Sequence, residues 1–481
     1  MAGLDSIRSS LRPNTVLNIQ PKSVCIQGLG FVGAAMAVAV ANARDEDGNY
    51  LYSVIGVDRD TSQGRDRVAA VCRGEFPFFT SDRALHEAVQ RACMAGNLTA
   101  TTDENIYASA DVVVIDVALD IPFLEKQPQL HMDNLEQSVR SIAKRIPEGG
   151  LLLVETTVPP GTCEKLLAPI LAEEMRCRGL GEHAIHLAHS FERVMPGDKY
   201  LESITKFWRV YAGQTIQAAD MCKEFLSSFV DIENYPLTQL SSMTASETAK
   251  VMENTYRAAN IAFIDEWTKY AEVIGVDLYE VIDAIRVRPT HSNMRFPGLG
   301  VGGYCLTKDP AFAPAAATQI FGNESLEFPF SELAMQINQA MPKHTVERLE
   351  NMLDGSCKDN VVLVLGVSYR QDIGDTRYSP VETLVRALEV RGAHVTGFDP
   401  FVRRWIEMDR LLPVRMPEAG LFDAVIIATP HREFFNLNFL EWLDGARPVI
   451  LDTANVIGCD ERRRCREIGV RIESVGRGDG L

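Results

Sequence analysis

The sequence predicts an α/β protein in which two doubly wound domains are joined by a long central helical segment. Three observations carry that prediction. Short apolar, β-branched runs alternate with stretches of helical period across residues 23–235, the pattern of a parallel sheet covered by helices on both faces. The same alternation restarts across residues 341–481. Between them, residues 241–286 contain one glycine and no proline and keep an apolar helical period.

The expected division is an N-terminal extension (1–22), a first α/β domain (23–235), a central helical domain (236–340) and a C-terminal α/β domain (341–481). A strand, VCIQ, runs from near Ser23 into GLGFVG and an Ala-rich helix. YSVIGVD is a second strand and ends at Asp58. DVVVIDV (111–117), a helix over about 133–145 and GGLLLVETT (149–157) follow. In the middle segment the helical period breaks once, at Gly275-Val276-Asp277, which predicts a long helix followed by a shorter one. DNVVLVLGVSYR (359–370) opens the last domain as a buried strand. SPVETLVRALEVRG is an amphipathic helix, AHVTGFDP a strand ending near Asp399, and FDAVIIATP and RPVILDTANV supply further strands. The tail GRGDGL is expected to be disordered.

Composition narrows the function. The chain has 481 residues, 46% of them hydrophobic and 23% charged, and a formal net charge of −17. That acidity argues against nucleic-acid binding, because phosphate repulsion has no general counterweight. An anionic substrate needs locally placed Arg, Lys or helix N-termini instead. No apolar run reaches the roughly 20 residues that span a bilayer, and the first twenty residues lack a signal-like apolar core. The ten cysteines stand singly, with no C-x-x-C pair, which argues against a disulfide framework or a zinc site and fits a cytoplasmic protein.

Gly28, Gly30 and Gly33 form G-x-G-x-x-G between the first strand and the helix it enters. In such a turn the first glycine permits the bend, the second lets backbone approach a pyrophosphate, and the third lets helix and strand pack closely. Phe31 and Val32 fill the remaining positions at the helix N-terminus, where unpaired amides and the dipole favour an anion. Asp58, ending the next strand, suits a ribose diol and repels a 2′-phosphate. The first domain is therefore expected to be Rossmann-like and to bind NAD. An insertion, RDEDGNYLY, lengthens the first crossover, and Arg59 adjoins the acid. The C-terminal domain, also Rossmann-like, has one glycine in its first turn, LGVSYR, and suits a nucleotide portion of the substrate.

The most informative stretch is PGLGVGGYCLTKDP (297–310), in which four glycines precede Cys305 and then Lys308 and Asp309. This segment closely resembles the nucleophile loop of the UDP-glucose/GDP-mannose dehydrogenase family. ETAKVMENTYRAANIAFIDE (247–266) is similar to that family's central helix, where Lys250 and Asn254 share one face. VETTVPPGT (154–162) resembles its S-T-V-P-x-G strand end and places Thr157 at the site. YRQDIGDTRYSP (369–380) resembles its F-K-x-x-T-D-D-x-R-x-S-P signature. The resemblance covers about residues 23–455.

What the resemblance implies is a four-electron oxidation of a nucleotide sugar with two NAD+, feeding surface polysaccharide synthesis. A Cys305 thiolate traps the intermediate aldehyde, a second oxidation gives a thioester, and water releases the acid. Lys250 and Asn254 are implied to steady developing oxyanions, and Asp309 and Glu192 to handle protons. Lys308 is assigned to binding the cofactor or the substrate, or to favouring the thiolate. Gly302, Arg370 and Arg377 are assigned to the sugar nucleotide, with Arg288 and Arg295 as further substrate contacts, and the central helix is implied to form a homodimer. Three departures stand out: DVALDIP replaces a V-P-T-P run, Asp265 stands where an Asn is usual, and Phe191 replaces a proline in HSFERVMPGD (189–198). That last segment points to UDP-N-acetylglucosamine or UDP-N-acetylmannosamine, whereas Lys308 is more typical of the UDP-glucose branch. UDP-glucose and GDP-mannose remain alternatives, as do a two-electron β-hydroxyacid-type dehydrogenase and a non-catalytic sensor of NAD or a UDP-sugar.

Overall fold

The structure is a computed structural model that describes residues 21–124 and 127–478. The N-terminal extension therefore lies almost entirely outside the described residues. The first sheet contains β1 (Lys22–Gln27), β2 (Tyr52–Val57), β3 (Leu98–Thr101), β4 (Val112–Ile115), β5 (Leu151–Val154), β6 (His186–Phe191), β7 (Val210–Gly213) and β8 (Thr238–Gln239). Their order is β8-β7-β6-β5-β4-β1-β2-β3. Strands β1 to β6 are parallel and follow the doubly wound order 3-2-1-4-5-6. β7 adds antiparallel to β6. The central strands β4 and β5 are wholly apolar and buried, as strands covered on both faces must be.

The helix after the glycine loop, Phe31–Ala41, is buried from Gly33 to Ala41. Its alanines and valines let it lie close to β1 and β2, so small size rather than amphipathic period sets its place.

The second sheet holds β9 (Val361–Leu365), β10 (His394–Phe398), β11 (Ala424–Ile427), β12 (Val449–Asp452) and β13 (Ile472–Ser474). All pairs are parallel, in the order β10-β9-β11-β12-β13. This is the second common doubly wound order, whose ligand crevice opens where neighbouring connections diverge, between β9 and β11.

Between the sheets runs the central helix Met243–Ile274, about 48 Å long at 1.5 Å per residue. The Ser242 side chain accepts from Ala245 N at one end, and Gly275 ends the helix with φ +75°. A second helix, Leu278–Arg286, follows, as the break in period predicts. Helix Pro329–Met352 packs along the central helix, with Asn338 Nδ2 donating to Ala258 O at 3.0 Å. Pro342 lies inside it and cannot donate to Asn338 O. The Asn338 carbonyl faces Gly300, where a Cβ would stand 2.6 Å away.

The tail departs from expectation. Residues 476–478 are ordered by the turn after the central helix: Leu278 N donates to Gly476 O and Gly478 N to Val276 O, while Arg477 pairs with Asp277 at 3.1 Å. Glu272, half-buried on the central helix, accepts from Gly476 N and pairs with His344 and Arg348. Low-complexity composition suggested disorder, but this ion-paired anchor holds the segment. Residues 479–481 lie outside the described residues.

Candidate active site

The cofactor cradle is built by β1 and the helix that follows it. Gly28 has φ +97°, and a Cβ there would stand 2.3 Å from Asp116 O. A Cβ on Gly33 would lie 1.9 Å from Gly28 O, so neither position admits a side chain. Gly30 is different: nothing lies within 4 Å of where its Cβ would be. It is also the helix N-cap and makes no side-chain cap bond. The first-turn amides thus face space that a dinucleotide pyrophosphate fits, and any side chain at Gly30 would occupy it.

Asp58 is buried at the end of β2. Its Oδ2 accepts from Leu29 N and from Arg67 Nη1, each at 3.2 Å, and its Oδ1 from Arg59 N at 2.8 Å. Arg59 thus meets the acid through its amide. Phe31 stacks on Phe78 with centroids 4.0 Å apart, and the Arg377 guanidinium lies 4.6 Å over the Phe31 ring. Arg377, expected against the sugar nucleotide, therefore stands beside the cofactor cradle, held by Asp375 at 2.7 Å. Arg370 is exposed.

The C-terminal domain has an acid at the matching place, Asp399 after β10, and it is fully engaged. Asp399 Oδ2 accepts from Val367 N, Ser368 N and Ser368 Oγ and faces His431 Nε2 at 3.1 Å. Its Oδ1 accepts from Phe401 N at 2.8 Å, so the buried carboxylate is held by the protein's own donors. No motif in the sequence announces this.

The cysteine loop lies where all three parts of the chain meet. A Cβ on Gly302 would stand 2.6 Å from Pro380 Cδ and 2.7 Å from Tyr369 Cβ. Gly303, with φ +84°, would put one 2.5 Å from the Tyr369 ring. The loop can press against residues 369–380 only because these positions are glycine. Gly302, expected at the substrate, thereby serves as a packing surface. Cys305 O accepts from Lys308 N and Asp309 N, which starts the turn leading into helix Phe312–Gln319.

Around Cys305 the predicted polar residues converge. Lys250 Nζ donates to Glu192 O at 2.7 Å and lies 3.6 Å from Glu192 Oε1. Asn254 Nδ2 donates to Asp309 Oδ2 at 2.6 Å, and Lys308 Nζ pairs with Asp309 Oδ1 at 2.7 Å. Burial works against the charge of Lys250, yet Glu192, Cys305 and Asp309 outweigh it and hold the ammonium above its ordinary range. Lys308 is buried, with its Nζ 4.5 Å over Tyr304 and 4.4 Å over Phe312. That ammonium is engaged with Asp309 and two rings rather than with the dinucleotide cradle. Thr156 Oγ1 bonds the backbone of Ile115 and Val117, leaving Thr157 as the half-buried hydroxyl of the pair.

Opposing charges meet at the cysteine itself. Desolvation and Asp309 push the Cys305 thiol up to about 11, against Lys250 and Lys308, which pull it down. Lys308 favours the thiolate in direction, while Asp309, paired with it at 2.7 Å, brings a charge that opposes ionisation.

Arg288 and Arg295 are placed apart from this centre. Arg295 neighbours Tyr256, Arg257 and Arg286, and Arg288 is exposed in the turn Pro289–His291. Sequence reasoning missed a charged group under the cradle, Glu155 and Arg209 buried and Asp116 half-buried. It also missed Asp120, whose charge, after burial, raises the Tyr304 phenol next to Cys305. Only the departure at DVALDIP signalled either.

Comparison with known proteins agrees with this geometry. Residues 22–230, 244–340 and 363–459 match, in turn, the NAD binding, central and UDP binding domains of the UDP-glucose/GDP-mannose dehydrogenase family. The chain is 29% identical over 462 residues to the UDP-N-acetyl-D-mannosamine dehydrogenase of Methanocaldococcus jannaschii, covering 95% of this chain and 97% of that one. It is 30% identical over 464 residues to the enzyme of that name from Pyrococcus horikoshii, covering 95% and 99%. A solved UDP-glucose dehydrogenase from Pyrobaculum islandicum superposes with a TM-score of 0.78 at 25% identity, covering 98% of this chain and 100% of that one. The glycine cradle, the cysteine loop and these matches lead to one conclusion: the chain belongs to the UDP-glucose/GDP-mannose dehydrogenase family and is an NAD-dependent nucleotide-sugar dehydrogenase.

Proposed function

We propose that the chain oxidises the C6 alcohol of a UDP-N-acetylhexosamine to the carboxylate through a covalent adduct on Cys305. The observation that carries this reading is the convergence of Lys250, Glu192, Asn254, Asp309 and Lys308 around one reachable cysteine. Bound NAD+ supplies a hydride acceptor, once for each two-electron stage. Cys305 Sγ adds to the intermediate aldehyde carbon and its proton passes to a neighbouring base, of which Glu192 and Asp309 are nearest the lysines. Lys250, held cationic, faces the oxygen that becomes anionic in each addition. Asn254 keeps Asp309 turned towards Lys308, and Thr157 lines the strand end. A thioester on Cys305 then accepts water, and the thiol leaves as the acid forms.

Two features favour an N-acetylhexosamine: the segment 189–198 and the activity of the UDP-N-acetyl-D-mannosamine dehydrogenases that the chain resembles. An NADH assay across UDP-N-acetylmannosamine, UDP-N-acetylglucosamine, UDP-glucose and GDP-mannose is the test. Two NADH per UDP-N-acetylhexosamine are expected, and one NADH with free aldehyde is the result that contradicts the thioester route. In this reading residues 23–235 hold the cofactor and 341–481 the UDP-sugar, with Arg370 towards the phosphates.

We propose further that two copies pair through the central helix. Its outer face leaves Met252, Tyr256, Phe263, Trp267 and Tyr270 exposed, with Phe330 beside them. So many large apolar side chains on one stripe mark an interface. Phe263→Asp is expected to yield a monomer by light scattering, and a mutant that stays dimeric removes this interface from consideration. Among the described residues no helix is long and apolar enough to cross a membrane, which suits the cytoplasmic location proposed for the enzyme.

A further inference from the structure

Beneath the first turn of the cradle helix lies a charged group that the oxidation does not use. Asp116 follows β4, Glu155 follows β5 and Arg209 precedes β7, so the sheet gathers the three side chains at one end. Arg209 Nη1 donates to Glu155 Oε1, and Nη2 reaches Met36 Sδ at 3.8 Å on the cradle helix. Glu155 and Arg209 are 1% and 3% exposed, and Asp116 is half-buried. Asp116 lies within hydrogen-bonding reach of Glu155, yet Asp116 Oδ2 and Glu155 Oε2 are buried with no donor.

Two ionised carboxylates are acceptors only, so a bond between them requires a proton on one. With both ionised beside a single guanidinium, one negative charge would also stand uncompensated in a desolvated space. One retained proton resolves both problems, because it supplies the missing donor and makes the trio neutral.

The position of the pair gives the proton a consequence. A Cβ on Gly33 would stand 3.0 Å from Asp116 Cβ, and one on Gly28 2.3 Å from Asp116 O. Asp116 thus backs both glycines that frame the cradle, where a dinucleotide brings its two pyrophosphate charges. We propose that Asp116 and Glu155 share one proton and that this proton is a condition of NAD binding: the cradle holds the pyrophosphate while the pair is protonated and repels it once the proton leaves.

Burial pushes Asp116 well above the carboxylate range, Glu155 and Glu192 add to that, and Arg209 opposes it. The other charges facing the pair are already matched: Glu192 by Lys250, and Asp58 across the cradle by Arg67. Below the pair's pKa, free and bound enzyme both carry the proton and affinity does not depend on pH. Above it, binding must recover a proton, and Kd rises about tenfold per pH unit.

The test is calorimetric titration of NAD+ into the full chain from pH 7 to 10, in buffers of different ionisation enthalpy. Wild type is expected to show a flat Kd, then a rise of about tenfold per unit with uptake of one proton. Asp116→Asn and Glu155→Gln each keep the mutual hydrogen bond without a titrating proton. Both are expected to take up no proton on that limb and to lose its slope, with folding confirmed by circular dichroism. Proton uptake in Asp116→Asn equal to that of wild type overturns the proposal, and so does a wild-type Kd that stays flat to pH 10. A merely structural pair would lower the affinity or the melting temperature without moving the slope.

Discussion

A Cys305→Ala enzyme is expected to lose formation of the uronic acid by more than about 10³-fold while still binding NAD+. The size follows from what the residue supplies. An aldehyde carbon must be held, converted to an acyl group and released to water, and without Cys305 Sγ no group at that place forms the covalent bond. Of the neighbours that remain, Lys250 and Asn254 can polarise the aldehyde but cannot trap it. The cradle is a separate element after β1, so cofactor affinity is expected to persist. Acid production within tenfold of wild type would remove Cys305 from the reaction. The raised thiol makes a companion measurement decisive. With the thiol pushed up to about 11, roughly one molecule in a thousand carries the thiolate at pH 8. Alkylation of the free enzyme by iodoacetamide is thus expected to quicken about tenfold per pH unit from 8 to 10. A rate already level at pH 8 would mean a thiol in the ordinary range or below.

Lys250→Met is expected to lower kcat by about 10²–10³-fold, or roughly 2.7–4 kcal/mol of transition-state stabilisation, with a much smaller change in KM. The cation is buried and acts on charge that develops during reaction, so its removal falls on the chemical step. It also strips Glu192 of its partner at 3.6 Å, and a carboxylate left in that space opposes the oxyanion further. Methionine keeps most of the stem's volume, which separates loss of charge from loss of packing. Steady-state kinetics on the sugar nucleotide read the two constants. A rise in KM at constant kcat would make Lys250 a binding residue instead.

Much of this architecture was legible because its signals are local. The break at Gly275 is a positive-φ cap, and it ended the central helix where the apolar period stopped. Lys250 and Asn254, four apart on one helix, could be placed on a common face before any contact was known. The glycine fingerprint likewise carried its own geometry. What escaped notice depends on distant neighbours. β6, β7 and β8 form the far half of the first sheet, and β8 is two exposed residues whose pairing only the completed edge explains. The pairing of Asp399 with His431 joins the ends of separate strands. Asp116, Glu155 and Arg209 are each ordinary in sequence, and only the strand order makes them a group. Lys308 and Arg377 were read by motif alone, and the packing of Tyr304 and Phe31 set their directions.

The contact between the cysteine loop and residues 369–380 also has a meaning in time. Synthesis runs from the N-terminus, so Cys305 leaves the ribosome roughly 60 residues before Tyr369, or about 3–12 s earlier at 5–20 residues per second. During that interval Gly302 and Gly303 have no wall to press against. Cys305 is thus made early, and the surroundings that set its chemistry are assembled late.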